Sequence, residues 1–326
     1  MPNSFERPSV LVTGAAGFVG RALIEQLCAA NTPHIVAASR AKLVMSGRNV
    51  SFFQCNEALD SQDWTAAVRD VDSLIHLAAR VHVMNDLATD PLAEFRRVNV
   101  AGSLNLARQA AAAGVRRFVF VSSIKVNGEV TLPGQPFRAD DMPDPKDFYG
   151  ISKREAEDGL RQLSLETGME VVIIRPPLVY GPGVRANFHR LMQMLNSGIP
   201  LPLGGMHNRR SMVAMDNLVD LLILSTHHPA AAGRTFMVSD DRDVSISELL
   251  RMLSSAMGRH SRLLPVPVRL VAGIANLMGK SKEASRLLDS LQVDITDTKS
   301  ALGWEPVIDV QEAINKTVAY FQSSNA

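Results

Sequence analysis

A tyrosine and a lysine four residues apart, Tyr149 and Lys153 in YGISK, begin a helical-looking run that ends at Gly168. That spacing puts both side chains on one helix face. In a chain with three Tyr and eight Lys, a Y-x-x-x-K arises by chance about 7% of the time. A phenol is a poor acid or base at its reference pKa of ~10. An ammonium beside it favours phenolate and brings it towards the working range. Earlier in the chain the apolar run FVFV at 118–121 leads into SSIKVNG, so Ser122 and Ser123 sit at a strand end. A hydroxyl there can steady the oxygen on a carbon that gains or loses hydride while Tyr149 moves the proton. Proteins have no hydride donor of their own, so this chemistry needs a nicotinamide.

The place for one is near the N-terminus. TGAAGFVG puts Gly14, Gly17 and Gly20 between an apolar strand (SVLV) and a helical run (VGRALIEQLCAA). Gly14 allows a tight turn, Gly17 a close approach to pyrophosphate, and Gly20 close packing of helix on strand; Ala16, Phe18 and Val19 complete the loop. The helix start offers N–H groups and a positive dipole end to phosphate. The strand HIVAAS then ends near the expected adenosine ribose. An acidic residue there would bind the 2′-hydroxyl of NAD, but this chain has Ser39 and Arg40, which suit the 2′-phosphate of NADP. NADP(H) is the expected cofactor, with NAD(H) the alternative.

Strand-like and helix-like runs alternate from residue 9 to residue 175. The continuous Val/Ile/Phe composition of the strands suits burial on both faces. This predicts an α/β fold, a Rossmann-like doubly wound parallel sheet with a smaller C-terminal substrate lobe. The expected division is 1–179 plus 211–242 for the dinucleotide domain, and 180–210 plus 243–326 for the second lobe. FRRVNVAGSLNLARQAAAAG reads as one helix. SMVAMDNLVDLLILS and RTFMVSDD read as a helix and a strand returning to the sheet.

Composition excludes several classes. Of 326 residues, 46% are hydrophobic and 21% charged, with a net charge of +1; nothing points to a nucleic-acid partner. Cys28 and Cys55 lack metal-ligand spacing and read as reduced core thiols of a cytoplasmic protein. The start, MPNSFERPSV, has no apolar targeting core. Residues 265–279, PVPVRLVAGIANLMG, are too short to span a bilayer and are interrupted by Arg269. With Val268, Val271, Ile274 and Met278 near helical spacing, the segment reads as a core or cap helix, a dimer contact or a membrane-surface contact.

Together Gly14/Gly17/Gly20, HLAA at 76–79, NVAGSLNL at 99–106, SSIKVNG, YGISK and RPPLVYGPG at 175–183 resemble an extended short-chain dehydrogenase/reductase of the NAD-dependent epimerase/dehydratase group, over nearly the whole chain. The resemblance implies a catalytic set of Ser123, Tyr149 and Lys153. It implies cofactor contacts from Leu77, Ala78, Ala79 and Pro176, and Asn99 as support for the active-site helix or for a water relay. It also implies a UDP-sugar substrate bound with help from Ser122, Lys125, Asn187 and Arg210, and a homodimer. Ile124 and Lys125 stand where sugar 4,6-dehydratases carry an Asp-Glu pair, and Val126-Asn127-Gly128 where 4-epimerases usually read V-Y-G. SSIKVNGE resembles the 4-keto reductases of O-antigen sugar synthesis. The leading expectation is therefore reduction at C4 of a UDP-4-keto-6-deoxy sugar. A UDP-hexose 4-epimerase is the runner-up, and a non-catalytic dinucleotide sensor a remote third.

Overall fold

The computed structural model of the chain describes residues 8–43, 47–81, 89–132, 134–277, 279 and 287–324. Its centre is a seven-stranded sheet. The strands are β1 (Val10–Thr13), β2 (Ile35–Ser39), β3 (Val50–Gln54), β4 (Ser73–His76), β5 (Arg117–Val121), β6 (Glu170–Arg175) and, after the two-stranded sheet described below, β9 (Thr235–Met237). Their order is β3-β2-β1-β4-β5-β6-β9, and every pairing is parallel. The order reverses between β1 and β4, and the crevice beyond the strand ends at such a reversal is where ligands bind.

Helices cover both faces, which is why the strands are apolar throughout. On one side α1 (Phe18–Ala29) packs with α6 (Met215–Ser225) over Val12, Ile75, Val119 and Ile174. On the other, α3 (Gly102–Ala112) packs with α4 (Phe148–Thr167) over Leu11, Leu74, Phe118 and Ile173. The run expected as one regular helix over 95–114 is broken. A short α2 (Pro91–Phe95) passes into a π-helical stretch, Arg96–Ala101, before α3; there the Gly102 N–H reaches back five residues to the Arg97 carbonyl. The extra residue per turn carries Asn99 inward, where it is buried. Such π stretches are frequent at functional sites.

A second departure concerns SMVA. Its residues form β8 (Met212–Ala214), which pairs with β7 (Leu178–Tyr180) in a separate two-stranded sheet. Only β9 returns to the main sheet. Tyr180 ties this ribbon down: its hydroxyl donates to Asp240 at 2.8 Å, and its ring stacks on Phe188. A further apolar core lies around α5 (Ala186–Asn196), α7 (Ile246–Ala256) and the C-terminal helix Val310–Ser323. Within 265–279, Val268–Leu277 form a helix, α8, while Met278 lies outside the described residues. Val271 touches the second core, but Leu270 and Leu277 are 58% and 89% exposed, so α8 is a surface helix and not a core one. No helix of the described residues is long and apolar enough to cross a membrane.

Candidate active site

The strand ends of β1, β2, β4 and β5 open onto a cavity of about 1170 Å³. Every cofactor-side residue singled out in the sequence lines it except Asn99, and Ser122 and Ser123 line it too. At one end is the glycine turn. Gly14 has φ +69°, and a Cβ on it would lie 2.9 Å from the Ala78 nitrogen, so glycine is what lets the turn pass the end of β4. A Cβ on Gly20 would lie 2.3 Å from the Gly14 carbonyl oxygen. Helix α1 begins at Gly17 with no side-chain cap and no acidic residue in its first turn. Backbone brought this close to a positive, uncapped helix end fits the pyrophosphate of a dinucleotide.

At the far end stands α4. Asp147 caps it by accepting from the Gly150 N–H at 2.7 Å, which starts the helix one residue before Tyr149; the phenol lines the same cavity as the end of β5. Tyr149 is half-buried, with its ring edge-on to Phe95. Its pKa is pushed up to about 12, by burial first and by Asp147 second, while the neighbouring Ser123 hydroxyl pulls it down. Lys153 is buried one turn on, its ammonium 4.1 Å from the centre of the Phe120 ring. Burial lowers its pKa to about 7, against an opposing pull from Glu157. The expected acidification of the phenol by the lysine is not what the structure gives: the phenol's pKa is raised, by burial and Asp147, and burial also dominates at Lys153.

Asn99 acts from behind. Its amide donates to the Ser152 hydroxyl at 2.9 Å, and Ser152 donates to the Tyr149 carbonyl at 2.8 Å. Its oxygen accepts from the Arg80 N–H at 2.8 Å, which holds the chain after β4. A buried relay continues from there. Ser103 donates to the Asn99 carbonyl at 2.7 Å, so it accepts from His76 Nε2 at 3.0 Å; His76 Nδ1 then accepts from Thr13 at 2.7 Å. Burial, helped by Lys153, drops the His76 pKa to about 3, so the ring is a neutral strut. Sequence reading passed over His76 and Ser103, although the former is the first residue of the HLAA motif.

Four expected contacts have other partners. The Ser39 hydroxyl donates to the Ala41 carbonyl, leaving Arg40, which is exposed, as the free-standing group at that end. Ser122 is buried and donates to Glu157 at 2.5 Å. Lys125 pairs with Asp147 and with Glu129. Arg210 donates to the Asp289 carbonyl at 2.9 Å. Arg210 and the exposed Asn187, in the first turn of α5, are not among the residues lining this cavity. Residues the sequence reading missed include Cys55, Glu57 and Trp64. They follow β3, and only the strand order brings β3 beside β2.

These features define a dinucleotide-dependent enzyme fold with a Ser-Tyr-Lys edge. The sequence profile described as the NAD dependent epimerase/dehydratase family matches residues 10–239. A UDP-glucose 4-epimerase of Vibrio cholerae is 44% identical over 97% of this chain and 96% of its own length. Among solved structures, MoeE5 in complex with UDP-glucose and NAD superposes with a TM-score of 0.77 at 24% identity, covering 98% of this chain and 100% of that one. The UDP-glucose 4-epimerase of Thermotoga maritima with UDP-glucose gives 0.76 at 22% identity, covering 98% and 100%. The chain belongs to the NAD dependent epimerase/dehydratase family, an enzyme family acting on nucleotide sugars.

Proposed function

We propose that this protein epimerises a UDP-hexose at C4. The observation that carries the reading is one cavity lined by the glycine turn, by Ser123 and by Tyr149, with Lys153 one helical turn on from the phenol. A nicotinamide dinucleotide, when bound, takes up and returns the hydride. Ser123 orients the C4 oxygen, Tyr149 in its phenolate form would take that oxygen's proton and give it back in the return step, and Lys153, when protonated, stabilises the phenolate. Arg210 and Asn187 would serve the sugar diphosphate from the second lobe. The 44% identity to a UDP-glucose 4-epimerase favours this chemistry over net reduction.

Reduction of a UDP-4-keto sugar is the second reading, and one observation supports it. The end of β2 carries Ser39 and Arg40 in place of an acid, and the exposed Arg40 lines the cavity, which suits a 2′-phosphate. Glu57, three residues beyond β3, lines the same cavity and supports NAD instead. The two readings part in one assay. With UDP-glucose or UDP-N-acetylglucosamine and no added reductant, an epimerase interconverts the C4 isomers. A reductase leaves them untouched and oxidises NADPH stoichiometrically with a UDP-4-keto-6-deoxy sugar. Titrating Arg40→Ala with NADPH and NADH tests the cofactor; unchanged NADPH affinity removes the arginine from the account.

A further inference from the structure

Helix α8 presents three large apolar side chains to solvent among its described ones. Leu270 and Leu277, seven residues apart and so on one face, are 58% and 89% exposed, and Val268 is 39% exposed. Leu264, just before the helix, is 51% exposed and Ile199 is 62% exposed. They belong to neighbouring strips of chain, because Leu201 and Leu264 exchange backbone hydrogen bonds with the opposite strip at 2.9 and 2.8 Å. The Arg259 guanidinium also holds the Asn196 carbonyl at the end of α5, at 2.7 Å. The patch is thus mounted on a folded lobe.

Its charge is one-sided. From Leu249 to Gly279 the sequence has four arginines, Arg251, Arg259, Arg262 and Arg269, and no Asp or Glu, in a chain whose 34 basic and 33 acidic residues otherwise balance. The next two charges along the sequence, Lys280 and Lys282, are also basic. Arg262 and Arg269 are exposed, and among the described residues neither pairs with a carboxylate.

We propose that α8 and the turn before it dock this lobe on the surface of an anionic phospholipid bilayer. Exposed leucine and valine with unpaired arginines is the combination that lies in a membrane interface, the apolar side chains entering the acyl boundary and the cations meeting headgroup phosphates. At ten residues α8 is half the length of a span, so it rests on the bilayer. A second copy of the chain is disfavoured as occupant: a two-fold contact through this patch would set its arginines against their own copies. The small apolar area makes the contact reversible and dependent on salt. The proposal is independent of which C4 chemistry the enzyme performs.

The test is flotation of the full-length protein with vesicles of phosphatidylcholine alone, or of phosphatidylcholine with one-third phosphatidylglycerol. Binding is expected to the anionic vesicles at low salt, with loss at high salt and little binding to neutral vesicles. Arg262→Gln/Arg269→Gln should weaken it by about 30-fold, at about fivefold per basic residue near the surface. Leu270→Gln/Leu277→Gln should weaken it as well, and both variants should retain turnover of soluble substrate and the wild-type circular dichroism spectrum. Absence of binding to anionic vesicles at low salt overturns the proposal. So does binding that the arginine pair does not affect. Self-association in sedimentation velocity that Leu270→Gln/Leu277→Gln abolishes would give the surface to a second copy and overturn it too.

Discussion

Replacing Glu157 by Gln should cost this protein about a fifth or more of a typical domain's stability. The carboxylate is fully buried on α4, one turn beyond Lys153. It accepts from Arg175 Nε and Nη2 at 3.0 and 2.6 Å, from the Ser122 hydroxyl at 2.5 Å and from Arg161 at 3.0 Å. Burial pushes its pKa up, but Arg175, Ser122 and Arg161 outweigh burial and hold it below the usual carboxylate range. Arg175 is 2% exposed, and its other partners, Asn127 and the Ala139 carbonyl, are neutral. Glutamine keeps the shape and removes the charge, leaving a buried guanidinium unbalanced, at about 3–5 kcal/mol. That compares with about 5–15 kcal/mol for a whole domain. Urea denaturation followed by fluorescence measures it. Because the folded pKa of Glu157 is depressed, its contribution is complete above the unfolded value of ~4.3 and is lost as pH falls through the folded one. The gap between wild type and variant should therefore be full at neutral pH and close in acid. Loss of the carboxylate also removes what holds the Lys153 pKa up towards about 7, so the pH at which that ammonium discharges should fall. A stability loss under about 1 kcal/mol at neutral pH, below the range for a broken buried pair, would refute the reasoning.

Tyr149→Phe should lower turnover by about 10²–10⁴-fold, the worth of a positioned acid or base, with dinucleotide affinity nearly unchanged by fluorescence titration. Gly20→Ala places a Cβ 2.3 Å from the Gly14 oxygen and 2.8 Å from the Ala15 Cα; it should cost about 1–3 kcal/mol of stability and weaken dinucleotide binding in the same titration. Lys153→Met should stabilise the fold against urea in a pH-dependent way. Its folded pKa is lowered from 10.5 to about 7, so the burial penalty is whole below pH 7 and fades as pH rises towards the unfolded value; the stabilisation should be largest in mild acid. Lys125→Ala frees the Asp147 charge, which already raises the Tyr149 pKa, so the apparent pKa of the catalytic acid in the pH–rate profile should rise further, and Lys125→Arg should restore it.

Much of the cofactor side was legible because it is written in short-range pattern. A strand, three spaced glycines and an amphipathic helix can be read within twenty residues, and Tyr149 with Lys153 needs only the helical period. Burial on both faces made the strands apolar and so betrayed a parallel sheet. The π stretch at Asn99 carried no such signal, since its residues satisfy a regular helix equally well. Nor did β8: Met212–Ala214 continues smoothly into α6, and only its pairing with Leu178–Tyr180 makes it a strand.

The sequence alone determined the class of chemistry, because the types and spacing of the phenol, ammonium and glycines are local properties of the chain. Tertiary structure decided how those groups are tuned and which neighbours serve them. It buried Ser122 on Glu157 and set Ser123 in the same cavity as the phenol, neutralised Lys125 with Asp147, and ran a neutral His76 from Thr13 to Ser103. It also left α8 facing solvent. Each outcome depends on desolvation and on partners far apart along the chain, and neither quantity exists until the strands have paired.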